Sequence, residues 1–283
     1  MIKSNVDKLP MISVMGQVAN PSMRGARVYT NGMSRYLVGT GGISYNAKVG
    51  DLATGWVADH LEPGVSSKNT DNNMNMAYNV YSCIGNEVTV VSGDAKGDKG
   101  FVVGTHGGIE HVMLHFGDET LEKLLPEDKV LVRAWGLGME LSDYPDILMR
   151  GTGPQLLEKL NIIEEDGCLK VGVAKIVPGC IMGSGLGATT AESGDYDITL
   201  HDKKITDEYG LMGLRFGDIV AITDADTRYG RTFQTGACTI GVVVHSDCVL
   251  AGHGPGVTTI MTALDNKIKP FIDDQANLKF MFC

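Results

Sequence analysis

Residues 216–263 read FGDIVAITDADTRYGRTFQTGACTIGVVVHSDCVLAGHGPGVTTIMTA, and dividing that stretch into elements decides the fold. Residues 219–223 and 239–244 are rich in β-branched side chains, which predicts strands. Between them lies a polar turn carrying Asp224, Asp226, Arg228 and Arg231. Past the second strand come His245 and Asp247, then the turn Gly252-His253-Gly254-Pro255-Gly256. Polar groups placed just beyond strand ends are presented to a ligand by a rigid scaffold. Residues 257–263 are expected to open a short helix, whose first N–H groups would face an anion.

Moving toward the N-terminus, the same alternation of short strand and glycine turn continues. The stretch NEVTVVSGDAKGDKGFVVG, residues 86–104, reads as strand, glycine-rich turn, strand. It resembles the KOW motif of small SH3-like barrels in ribosomal and transcription proteins. Residues 105–116 and 128–135 read as further strands, and 121–125 as one helical turn. Leu156, Leu157 and Leu160 have the spacing of a short helix over 154–160, with Asn161 as its stop. The Asn-rich segment 69–76 is expected to be a surface loop. The acidic stretch after residue 161 marks a boundary, followed by strands over 168–177, 196–200 and 218–222. Residues 183–188, GSGLGA, lack the G-K-[ST] of a phosphate loop and read as a connection between strands. The expected architecture is mainly β, with two barrel- or sandwich-like β domains (1–165 and 166–283) and a few short helices.

Composition narrows the function. The chain has 283 residues, 43% hydrophobic and 20% charged, which suits a globular protein with a sizeable core. Its 37 glycines follow no collagen-like period and fit many tight turns. A net charge of −10 repels nucleic acid and anionic membranes at long range. No apolar run reaches the roughly 18 residues of a membrane span, and the N-terminus lacks a signal peptide's pattern. A cytoplasmic location is therefore expected. The six cysteines show no C-x-x-C spacing, so they are read as reduced packing residues.

Two clusters carry the chemistry. Asp59, His60 and Glu62 fall where a strand over residues 50–58 would end; His245, Asp247 and His253 fall in the late loop. Imidazole and carboxylate donors suit a divalent metal (Zn, Mn or Fe), so Asp59, His60, His245, Asp247 and His253 are the candidate ligands. Asp224, Asp226, Arg228 and Arg231 are candidates for acid/base work and for holding an anionic substrate. Gly252, Gly254, Gly256 and Glu62 are candidates for binding the ligand. The competing reading pairs Asp224 and Asp226 with the arginines as turn residues and leaves the histidines structural. Strand alternation places His106, His111 and His115 on a barrel wall without any ligand. A nucleophilic Cys248 with His245 as its base ranks last. The metal reading requires that the clusters near residues 60 and 250 share one cavity.

The phrases ITDADTRYGRTFQTGACTIGVVVHSDCVLAGHGPGVTTIMT, GTGGISYNAKVGDLATGWVADHLEPGVS and VTVVSGDAKGDKGFVVGTHGGIEHV resemble the bacterial and archaeal family known as domain of unknown function four-four-three-eight. That resemblance implies a two-part, β-rich, cytoplasmic homo-oligomer, and no activity. More faintly, the GD-V-I-D rhythm with a late His- and Gly-rich loop is similar to acetamidase/formamidase-type metal hydrolases. The chain departs from those in lacking their Gly-Asp-x-His phrase with a following Gly-Asp-Gly-Glu run. The expected function is metal-assisted hydrolysis, or related acid/base chemistry, on a small anionic metabolite. The alternatives are a non-catalytic metabolite-binding protein and an RNA- or translation-associated module using the KOW-like barrel, the latter opposed by the acidic total.

Overall fold

The computed structural model describes residues 2–23 and 25–283. The first part of the chain contributes β1 (Ile12–Val18), β2 (Arg27–Val28), β3 (Ser34–Arg35), β4 (Ile43–Ser44) and β5 (Gly64–Lys68), then α1 (Asn72–Tyr81). There follow β6 (Glu87–Val90), β7 (Lys99–His106), β8 (His111–His115), α2 (Asp118–Leu121) and β9 (Lys129–Ala134). Strands β1, β9, β6, β7, β8 and β5 pair in that order, and β5 pairs back onto β1, closing a six-stranded antiparallel barrel. Closure leaves no open edge among those six strands. Val88 and Val90, Val130 and Val132, Val112 and Leu114 alternate into its core, as period-2 patterning requires. The glycine-rich hairpin read from residues 86–104 is β6–β7, with Glu87 opposite Phe101.

Residues 69–76 were expected to form a loop, but α1 covers most of them. Asp71 caps the helix by accepting from the Met74 N–H at 2.9 Å. The asparagines hide an i, i+3, i+4 face, Asn75, Tyr78 and Asn79, which is buried. Tyr78 plugs the barrel, its hydroxyl 2.8 Å from Ser67 Oγ and its ring against Gly16, where a Cβ would come within 2.5 Å of the ring.

The second part adds β10 (Leu148–Met149), α3 (Pro154–Leu157), β11 (Ile162–Glu165), β12 (Cys168–Val173), β13 (Lys175–Pro178) and α4 (Lys203–Glu208). It ends with β14 (Ile219–Asp226), β15 (Thr232–Val243), β16 (Val257–Ala263), β17 (Ile268–Ile272) and α5 (Leu278–Phe282). One sheet runs β10-β16-β15-β14-β13 and another β11-β12-β17. Residues 257–263 are thus a strand, not the expected helix. Their β-branched valine, threonines and isoleucine pair antiparallel with β15, from Val243↔Val257 to Cys238↔Ala263. Residues 196–200 form no full strand, only bridges at Asp197 and Ile198. The barrel and the five-stranded sheet share a core, because the outward side chains Phe101, Val103 and Met113 pack with Ile219, Ile240, Val242 and Ile260. Strands β7 and β8 are therefore buried on both faces, which explains their unbroken apolar run.

Candidate metal centre

The barrel meets the five-stranded sheet at the end of β7, and the site grows from that seam. The Thr105 N–H donates to Thr258 Oγ1 at 3.0 Å, and that hydroxyl donates back to the Thr105 carbonyl at 2.9 Å. Gly104 is required for the approach, since a Cβ there would overlap Val244 Cγ1. The stitch brings His106 beside His245, rings stacked with centroids 4.2 Å apart.

His60 enters from the loop before β5. Residues 50–58, expected as a strand, form only bridges at Leu52 and Ala58, and the φ of 60° at His60 lies in the left-handed region. The side chains of Asp59 and His60 therefore meet, with Asp59 Oδ1 holding His60 Nδ1 at 2.6 Å. His60 Nε2 points the other way, 2.9 Å from His253 Nδ1 and 3.8 Å from Asp197 Oδ2. His106 Nδ1 is held by Glu62 Oε1 at 2.7 Å, which leaves its Nε2 as the nitrogen able to act as a ligand. His245 Nδ1 faces the Ser246 carbonyl at 2.9 Å, while its Nε2 lies 2.6 Å from Asp195 Oδ2 and 3.7 Å from Asp197 Oδ1. Carboxylate or carbonyl acceptors behind the outer nitrogen are how metal-binding imidazoles are oriented.

Asp195 and Asp197 share a face because their segment is extended. The Tyr196 and Val257 backbones exchange hydrogen bonds at 3.0 Å, and the Ile198 N–H donates to the Pro255 carbonyl at 2.9 Å. Alternation sends Tyr196 and Ile198 into the core and the two aspartates toward the histidines. Gly256 lies directly behind them: a Cβ there would overlap both Asp195 Oδ2 and His245 Nε2.

Charge is distributed unevenly. Burial pushes the Glu62 carboxyl up, but bonds from His106 and His111 outweigh it and hold the group well below the usual carboxylate range. Glu62 also accepts from the Gly41 N–H and the Ser66 hydroxyl. For His245, burial opposes the charge, yet Asp195 and Asp197 outweigh it and raise the imidazole well above its ordinary value. For His60 burial wins over the Asp59 bond, so its pKa falls. Asp59 is opposed by burial, but bonds from His60 and the Cys248 thiol bring it down to about 2. Burial pushes the Cys248 thiol up, and Sγ donates to Asp59 Oδ1 at 3.1 Å. Cys248 thus faces Asp59, while His245 bonds to Asp195 and the Ser246 carbonyl, so the Cys248–His245 pairing considered from sequence is not the one made.

The donors form three groups, each within 4.8 Å: His60, Asp197 and His253; His106, Asp195 and His245; and Asp59, His60 and Cys248. Asp59, His60, His106, Asp195, Asp197 and His253 line a cleft of about 890 Å³, and His245 lies fully buried beside His106. Arg231 also lines the cleft, 4% exposed, with one terminal nitrogen donating to the Ser193 carbonyl at 3.1 Å and Nε without a protein partner.

The structure thus brings together His60, His245 and His253, with Asp59 behind His60, while Glu62 backs His106. Asp247 does not join them. Its Oδ2 accepts from the Gly55 N–H at 2.9 Å, and burial raises its pKa. Among the predicted glycines, the Gly254 N–H donates to Asp197 Oδ2 at 3.3 Å, whereas the Gly252 carbonyl accepts from Ser184 at 2.6 Å. Asp224, Asp226 and Arg228 lie along the β14–β15 hairpin. Asp224, at a φ of 55°, accepts from the Gly236 N–H at 2.8 Å, and Asp226 pairs with Arg228 at 3.0 Å. Of that quartet, Arg231 is the one that reaches the cleft. Sequence reasoning missed Asp195 and Asp197, although Asp-x-Asp in an extended segment is a legible same-face pair. It also placed His106 on a barrel wall without a ligand.

The chain belongs to the family described as Domain of unknown function (DUF4438). The model of its N-terminal part matches residues 26–158 and that of its C-terminal part residues 159–282. A solved structure described as "Crystal structure of TM1086" is similar at 47% identity and a TM-score of 0.95, covering 100% of this chain and 99% of that one. No curated protein matches the sequence. Among the described residues, no helix is long and apolar enough to cross a membrane.

Proposed function

We propose that this protein is a metal-assisted hydrolase acting on a small anionic metabolite. One observation carries the reading: three imidazoles, His60, His106 and His245, each have one nitrogen fixed from behind while two buried carboxylates, Asp195 and Asp197, close the other side. A structural core gains nothing from converging four histidines on two acids when three of those histidines line an open cleft. The donor chemistry fits Zn, Mn or Fe. Such an ion supplies a water-derived nucleophile near neutral pH and polarises the bond to be cleaved.

The chain's own residues account for the rest. Glu62 and Asp59 fix the orientation of His106 and His60. Arg231 offers buried guanidinium hydrogens to an anionic group on the substrate. His253, with its side chain 31% exposed, is the most accessible imidazole of the group and shares a donor set with His60 and Asp197.

The KOW-like hairpin supports RNA binding poorly, because Lys99 pairs with Glu87 at 3.0 Å and Asp98 with Lys123 at 3.4 Å. The acetamidase/formamidase likeness rests on sequence rhythm alone. Homo-oligomerisation is supported by the exposed apolar residues Val28, Tyr36, Val38 and Val57, and light scattering tests it.

The deciding experiment measures divalent metal in untagged protein and screens small anionic esters, amides and phosphoesters with and without chelator. Hydrolysis that a chelator removes and added metal restores, and that His245→Ala lacks, is expected. Negligible metal content with no ion raising the melting temperature would overturn the reading.

A further inference from the structure

We infer that the site holds two metal ions, bridged by the carboxylate of Asp197; this rests on the metal reading above and sharpens it. The donors divide into two triads with no residue in common, His60–His253–Asp197 and His106–His245–Asp195. Each supplies two imidazole nitrogens and one carboxylate oxygen, the three-ligand set that leaves a coordination position for water or substrate.

The first triad is already close to ligand spacing. Its edges are 2.9 Å between His60 Nε2 and His253 Nδ1, 3.2 Å between His253 Nδ1 and Asp197 Oδ2, and 3.8 Å between His60 Nε2 and Asp197 Oδ2. Tetrahedral ligands at about 2.0–2.2 Å from an ion stand roughly 3.3–3.6 Å apart. In the second triad His245 Nε2 and Asp195 Oδ2 are 2.6 Å apart, a hydrogen bond that an ion would open.

Asp197 joins the two. Its Oδ2 faces His60 and His253, and its Oδ1 lies 3.7 Å from His245 Nε2 in the other triad. A carboxylate presenting one oxygen to each of two neighbouring triads is the arrangement that spans ions about 3.5–4 Å apart. The backing acceptors are also separate, Asp59 for His60 in one triad and Glu62 for His106 in the other. The third group, Asp59–His60–Cys248, lies behind the first triad, because Asp59 Oδ1 is already bonded to both His60 Nδ1 and Cys248 Sγ.

Two dications balance the four carboxylates of Asp195, Asp197, Asp59 and Glu62, so the Arg231 guanidinium leaves the centre positive. An oxyanion able to bridge both ions is therefore the favoured ligand class, in keeping with Arg231 on the same cleft.

The test strips the full-length chain with chelator, reloads it with Mn(II), and reads stoichiometry by equilibrium dialysis with elemental analysis and exchange coupling by electron paramagnetic resonance. Two ions per chain with a coupled signal are expected. His60→Ala and His106→Ala should each keep one ion and lose the coupling, and Cys248→Ser should keep both. Circular dichroism on each variant separates lost ligation from lost fold. Saturation at one ion per chain overturns the bridge while leaving the hydrolase reading standing. No bound ion removes both, and loss of an ion in Cys248→Ser overturns the assignment of the triads.

Discussion

Glu62 Oε1 and His106 Nδ1 lie 2.7 Å apart in the seam between the barrel and the five-stranded sheet, and the carboxylate is fully buried. The same carboxylate accepts from His111, Ser66 and Gly41, so one side chain satisfies four donors. Glu62→Ala should therefore lower stability by about 3–5 kcal/mol, because it strands buried polar partners. Urea unfolding followed by fluorescence checks this, with a shifted midpoint and an unchanged slope as the expected result. Glu62→Gln should fold but bind metal roughly 10–100-fold more weakly, the usual effect of losing an outer carboxylate behind a ligand.

Gly256 predicts a lesion confined to the centre. A methyl at that position would overlap Asp195 Oδ2 and His245 Nε2, so Gly256→Ala should empty the triad of His106, Asp195 and His245 and leave the ion held by His60, His253 and Asp197. Overpacking at one site costs roughly 1–3 kcal/mol. The melting temperature should fall moderately while one of the two ions is lost; a variant that keeps wild-type metal content would show that Asp195 and His245 take no part in ligation.

Arg231 sits in the cleft with its Nε unpartnered. Charge-assisted hydrogen bonds contribute about 1.5–3 kcal/mol, so Arg231→Met should weaken anion binding by roughly 10–100-fold. Thermal-shift titration with inorganic phosphate measures it. Metal content should stay the same, since Arg231 belongs to neither triad.

The thiols respond to pH in a way that geometry sets. Burial pushes Cys83 and Cys238 up to about 12, so at pH 8 each carries about one thiolate in ten thousand. Raising the pH from 7 to 9 should leave both unmodified by an aromatic disulfide reagent until the chain unfolds. Cys180 and Cys283 are exposed and should react in the native state, Cys283 more slowly because burial also raises its pKa. Mass spectrometry of the labelled peptides distinguishes the sets.

Strand content was legible because β-branched residues and glycine turns mark β6–β7 and β14–β15 directly. Helix α1 was not, because its sequence is asparagine-rich and its buried face uses Asn75 and Asn79, polar residues whose amides donate to the Glu110 and Asn75 carbonyls. Residues 257–263 misled because a glycine turn before a hydrophobic run suits either a helix start or a strand, and pairing with β15 decides it. His60, His245 and His253 were recognisable as loop chemistry. Asp195 and Asp197 were legible as a same-face pair, but their meeting with the histidines depends on residues 196–198 pairing with 255–257, a contact between distant segments that no local pattern announces.

The seam draws His60, Glu62 and His106 from one side of the division between residues 158 and 159, and Asp195, Asp197, His245 and His253 from the other. Neither portion owns a complete triad, so a chain divided there would leave neither piece with a full donor set. Any cation seated between them would act as a rivet, and its removal would loosen their grip.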